Sequence, residues 1–220
     1  GAPKTSARRA LEVTLAREGV FRVGGDVSPE EIKEAMDLLA RLDQAMTCQF
    51  GMKSLVGPYQ LYLFKDSNSY EEFCVNRLGE KPCSVYGFFQ GNRLIMNYGT
   101  GSGTLIHEAV HAYIQENLGA CPIWFNEGFA SLYECSSFED GGIEGHVNWR
   151  LSRLQAAIRN QTTLPLGRLA DLSNAEFYGT GSDLHYAQSR YLMYHLQEMG
   201  RLGLLFKAMH ERDPARDPSG

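Results

Sequence analysis

Apolar residues at Ile32, Met36, Leu39, Leu42 and Met46 recur at helical spacing, and Ser28-Pro29-Glu30-Glu31 before them supplies an N-cap, a proline at the first helical position and a capping-box glutamate. The pattern predicts an amphipathic helix of about five turns. Tyr59 to Phe64 reads as a strand, and Ser69-Tyr70-Glu71-Glu72-Phe73 as the start of a second capped helix. Val85 to Phe89 and Arg93 to Tyr98, joined by Gln90-Gly91-Asn92, predict a β-hairpin. A helix is expected from about Thr104 to Asn117, ended by Leu118-Gly119, and another after Pro122. Three more apolar-periodic segments follow near 147–160, 183–199 and 201–211. Strands come first and helices last, which is α+β organisation. We expect one domain over 1–220, with an α+β lobe at 1–118 and a helical lobe at 119–220, and polar frayed ends at 1–8 and 211–220.

Composition narrows the classes. With 220 residues, 43% hydrophobic and 21% charged, the chain is of globular type and long enough to bury a core without disulfide support. The 21 Lys+Arg against 26 Asp+Glu give a net charge of −5, and the basic residues are scattered (Arg8, Arg9, Arg150, Arg153, Arg159), so no nucleic-acid footprint is present. No apolar run approaches the roughly 18 residues of a membrane span. Gly1 in place of an initiator Met leads us to expect a processed or excised piece, with flanking domains or a signal peptide outside it. Five cysteines without a CxxC spacing exclude a cysteine-based zinc ribbon, and their odd number leaves one thiol over. A helix over 123–135 would hold Cys121 and Cys135 about 18 Å apart, too far to bond, and Cys74 with Cys83 is the favoured pair. Cysteine usage and the chemistry below point to a secreted, periplasmic or cell-surface protein.

That chemistry starts at His107-Glu108-Ala109-Val110-His111. Residues four apart share a helix face, so both imidazoles can reach one metal ion while Glu108 stands beside them, able to touch a water on that ion. A catalytic zinc needs a third protein ligand and leaves a fourth position for water. Sixteen residues on, Trp124-Phe125-Asn126-Glu127-Gly128-Phe129-Ala130-Ser131 is an apolar helical segment with one carboxylate, a charge that a buried helix does not tolerate without a partner. If the second helix folds back on the first, Glu127 meets the two histidines, and the expected cofactor is one Zn2+ per chain.

His107-Glu108-x-x-His111 followed by Trp124-x-Asn126-Glu127-Gly128-Phe129-Ala130 resembles the gluzincin metallopeptidases, in particular the zinc aminopeptidase branch and the related peptidase-MA-like families. The resemblance is specific over residues 104–135 and implies a zincin-like domain in which His107, His111 and Glu127 bind zinc and Glu108 is general base and acid. Two departures matter. The gap from His111 to Glu127 is shorter than in the aminopeptidases. The hairpin reads Gly91-Asn92-Arg93-Leu94-Ile95-Met96-Asn97, without the Gly-x-Met-Glu-Asn motif that holds a substrate's free amine. An endopeptidase or narrow-specificity peptidase acting on a peptide or protein is therefore expected; the alternative is a zinc-bound, non-proteolytic binding domain.

In the implied mechanism Glu108 takes a proton from a zinc-activated water as it attacks the scissile carbonyl, then delivers it to the leaving amine. Asp183-Leu184-His185-Tyr186 resembles the later segment from which this superfamily directs a tyrosine toward the zinc. Tyr186 is the candidate oxyanion donor, with His185 as the alternative of thermolysin-like enzymes and helix capping or packing as the role left if neither serves. The strand at Arg93 to Asn97 is expected beside the cleft, offering an edge to a peptide. Glu134 is either a carboxylate orienting a ligand histidine or an exposed helix residue. His146, His195 and His210 have no ligand-like partners. Gly99-x-Gly101-x-Gly103 lacks phosphate-loop spacing and is expected to be a flexible lead into the zinc helix, with Trp149 and Tyr191 at helix-core positions.

Overall fold

The computed structural model describes residues 16–82 and 84–211. A five-stranded mixed sheet runs through β1 (Ala16–Glu18), β2 (Phe21–Gly25), β3 (Tyr59–Phe64), β4 (Gly87–Gln90) and β5 (Arg93–Asn97), in the order β1-β2-β3-β5-β4. β2, β3 and β5 are parallel neighbours, while β1 and β4 close the two edges antiparallel. Parallel neighbours need crossovers, and helices provide them: α1 (Pro29–Phe50) links β2 to β3, and α2 (Ser67–Phe73) with the π-helical turn 74–78 follows β3.

Period-two alternation decides what lies on each face of the sheet. Leu61, Leu63, Leu94 and Met96 are buried in the main core with Leu39, Leu42 and Met46 of α1. Phe64 and Ile95 turn the other way, onto Tyr70 and Phe73 of α2. The main core also takes in α3 (Ser102–Leu118) and α4 (Ile123–Leu132) through Leu105, Val110, Phe125 and Phe129. After α4 come β6 (Ser136–Glu139), β7 (Gly142–Gly145), α5 (Arg150–Arg159), α6 (Leu166–Ala170), α7 (Asn174–Phe177), α8 (Ser182–Glu198) and α9 (Leu202–Glu211).

The capping box of α1 forms as its sequence dictates: Glu31 N–H donates to Ser28 Oγ and Ser28 N–H to the Glu31 carboxylate. α2 starts at Ser67, two residues earlier than expected, because Asp66 rather than Ser69 is its cap. Strands-first, helices-last is corrected by the β6/β7 hairpin inside the helical half. Its turn is Asp140-Gly141, both at positive φ, the strongest short hairpin signal. The expected edge strand is also corrected. β5 pairs on both sides, so Arg93 to Asn97 has no free edge, and β4 holds that position. Two of the three glycines expected to form a flexible lead are tightly placed, while Gly101, at a φ of 105°, has open space around it. A Cβ on Gly103 would lie 2.2 Å from the Glu134 carbonyl oxygen and one on Gly99 2.4 Å from that of Lys65, so both are sites of close backbone approach. Trp149 is 64% exposed rather than a core residue. The Cys74–Cys83 pairing and the expected frayed ends fall largely outside the described residues. Among the described residues, no helix is long and apolar enough to cross a membrane.

Candidate metal centre

His107 and His111 lie one turn apart on α3, and Glu127 faces them from α4 after the turn at 119–122. His107 Nε2 and His111 Nε2 are 3.1 Å apart, and Glu127 Oε2 lies 3.3 Å from the first and 3.7 Å from the second. A tetrahedral ion with bonds of about 2.1 Å separates its ligand atoms by about 3.4 Å. The three distances bracket that edge, and these are the three residues that could hold a metal ion among those described. Glu127 Oε2 is buried and accepts no well-aligned hydrogen bond. An orphaned carboxylate oxygen aimed between two imidazole nitrogens fits a cation there.

Two features of the chain hold Glu127 in place. Gly128 lets α4 press against α8, since a Cβ there would meet the Ser189 carbonyl oxygen at 2.9 Å. Fully buried Arg190 on α8 then caps the far end of α4, donating from Nε to the Ser131 carbonyl at 3.0 Å and from Nη2 to that of Leu132 at 3.3 Å.

Each ligand has an outer partner. Asn126 Oδ1 is 2.9 Å from His111 Nδ1, and Glu134 Oε1 is 3.1 Å from His107 Nδ1, off the line of an ideal bond. A partner on Nδ1 leaves the Nε2 lone pair free for a metal. Of the two sequence alternatives, the exposed helix residue does not hold: the Glu134 side chain is only 10% exposed and lies against His107. The Tyr178 hydroxyl donates to Glu127 Oε1 at 2.5 Å.

Burial opposes the ionisation of Glu127, but the His111 and His107 charges and the Tyr178 hydrogen bond outweigh it and hold the carboxyl down at about 2. Burial likewise disfavours the His107 cation, yet Glu127 and Glu134 push its pKa well above the usual histidine range. The site is built to hold positive charge. Glu108 is 7% exposed, and burial raises its pKa against the opposing pull of His107, His111 and the Phe89 backbone N–H on edge strand β4.

Tyr186 is brought near the cluster: its ring lies 6.4 Å from that of Tyr178, whose hydroxyl is bonded to Glu127. Burial first and the Glu127 charge second push its pKa up, which keeps it a proton donor at neutral pH. His185 has a backbone partner. Its Nδ1 is 2.9 Å from the Phe177 carbonyl oxygen, so the ring secures the turn between α7 and α8. Sequence reasoning assigned no role to Tyr178, Asn126 or Arg150. Asn126 stands next to Glu127 in the motif itself, but Tyr178 lies in an aperiodic turn that carries no signal. No protein-family model matches the chain, and no curated protein matches it.

Proposed function

We propose that the chain is a zinc-dependent peptidase. The observation that carries this reading is the convergence of His107 Nε2, His111 Nε2 and Glu127 Oε2 at tetrahedral-edge distances, with Glu108 buried beside them on the same helix. When bound, the ion supplies Lewis acidity to a water molecule and to the scissile carbonyl.

The chain's own residues do the rest. Glu108 accepts the proton of the attacking water and returns it to the leaving amine. Tyr178 holds its hydroxyl on the Glu127 carboxylate and Tyr186 packs beside Tyr178, and one of the two can donate to the oxyanion. β4, the free edge next to Glu108, is the strand on which an extended peptide can pair through its main chain. The hairpin has no carboxylate to hold a substrate's free amine, which favours an endopeptidase or a narrow-specificity peptidase over a general aminopeptidase.

The test is turnover of a mixed peptide library by the parent chain and by Glu108→Gln. The parent is expected to cleave, and the variant to retain zinc while losing about 10²- to 10⁴-fold in rate. Zinc bound without cleavage in the parent would assign the site to binding rather than hydrolysis.

A further inference from the structure

The link from β7 into α5 brings three donors to one carboxylate. Arg150 Nε and Nη2 donate to Glu134 Oε2 and Oε1 at 3.2 and 3.0 Å, and Asn148 Nδ2 reaches Oε2 at 3.4 Å. Oε1 is the atom next to His107 Nδ1. The same guanidinium lies over the Tyr186 ring, 4.7 Å from its centroid. The link itself is fixed to α8: the Tyr191 hydroxyl accepts from the Asn148 N–H at 3.1 Å and lies 3.2 Å from the Asn148 carbonyl oxygen, to which it donates. A surface ion pair shows none of this. The Arg150 side chain is 19% exposed and that of Glu134 10%.

We infer that Arg150 is a positioning residue of the metal centre, which holds the His107 imidazole, through Glu134, and the Tyr186 ring in register with each other. The inference rests on the zinc-peptidase reading above. Its physical basis is that a guanidinium can bond in its plane and stack on its face at once, whereas an ammonium is a point charge. The in-plane fork fixes the orientation of the Glu134 carboxylate. That matters because the contact from Glu134 to His107 is not self-aligning, and a carboxylate free to rotate would leave the imidazole without a fixed tautomer. The stacked face limits the swing of Tyr186, and so the position of its hydroxyl. Arg150 touches neither ligand atoms nor substrate; it acts through the residues that do.

Zinc affinity measured by chelator competition on the full chain tests this, for the parent, Arg150→Lys, Glu134→Gln and the double variant. Metal-free melting curves serve as the control for folding. Arg150→Lys is expected to melt like the parent and to weaken zinc binding by about tenfold or more, within the 10- to 100-fold range of outer-partner losses. Glu134→Gln is expected to match it, and the double variant to be no worse than the worse single one, because both remove one link. At saturating zinc, Arg150→Lys should lower kcat with KM held, and adding Tyr186→Phe should lower it little further. If Arg150→Lys does not fold, Arg150→Met, which keeps the length of the side chain but no donor, carries the same comparison. A lysine variant that binds zinc within twofold of the parent, or losses that multiply in the double variant, overturns the inference and leaves the peptidase reading standing. A parent chain that binds zinc no better than a His107→Ala/His111→Ala variant overturns the reading and the inference together.

Discussion

His107 and His111 point the same ring atom at Glu127 from the same helix, yet different groups stand behind them. His107 is backed by the buried Glu134 carboxylate, itself gripped by Arg150; His111 is backed by the neutral amide of Asn126, the residue next to Glu127. The amide fixes a tautomer and little else. The carboxylate also adds negative charge, matched in part by the bonded Arg150 guanidinium and by the nearby buried Arg190. Against burial, Glu127 and Glu134 hold the His107 pKa well above the usual histidine range. The lesson is that the two histidines are separately tuned: one half of the site contributes charge and the other contributes orientation.

The comparison can be broken at several depths. Glu127→Ala removes the carboxylate common to both halves and is expected to abolish zinc retention, read by elemental analysis after gel filtration. Next come the hydroxyls of Tyr178 and Tyr186. Loss of the one that serves the oxyanion should cost about 10²- to 10³-fold in kcat, so steady-state kinetics of Tyr186→Phe and Tyr178→Phe should show one large effect and one small one. Equal small effects would remove both from the chemistry. The outer partners follow. Glu134→Gln should weaken zinc binding by about 10- to 100-fold, with Asn126→Ala at or below the lower end of that range. An Asn126→Ala loss equal to that of Glu134→Gln would end the distinction between a charged and a neutral partner. Gly128→Ala should act first on packing, costing about 1–3 kcal/mol as the α4–α8 contact that seats Glu127 is forced open. A melting shift of a few degrees in the metal-free chain would record it.

How much of this could be read from the sequence differs by residue for physical reasons. The His107/His111 pair was legible because a four-residue spacing has one meaning on a helix, and Glu127 because a lone carboxylate in an apolar helix demands a partner. Glu134 was ambiguous because it lies just past the end of α4, where helical periodicity no longer says which way a side chain points. Tyr178 and the role of Arg150 depend on how α7, α8 and the β7–α5 link meet, and no local pattern encodes that. In the fold, α1, β3 and the β4/β5 hairpin followed from caps, alternation and a polar turn. Strand order did not: nothing within Arg93 to Asn97 says that β3 would take its open side and leave β4 at the edge. β2 was missed because Phe21 to Gly25 is short and ends in two glycines, and β6/β7 because Ser136 to Glu139 carries little apolar alternation despite the Asp140-Gly141 turn.

The claim that the fold assembles a zinc centre is tested most directly by the zinc stoichiometry of the purified chain, measured side by side with Glu108→Gln and Glu127→Ala. The expected result is one zinc per chain in the parent and in Glu108→Gln, and close to none in Glu127→Ala. A parent chain without zinc, or a Glu127→Ala chain that holds as much as the parent, would contradict the assignment of these three ligands.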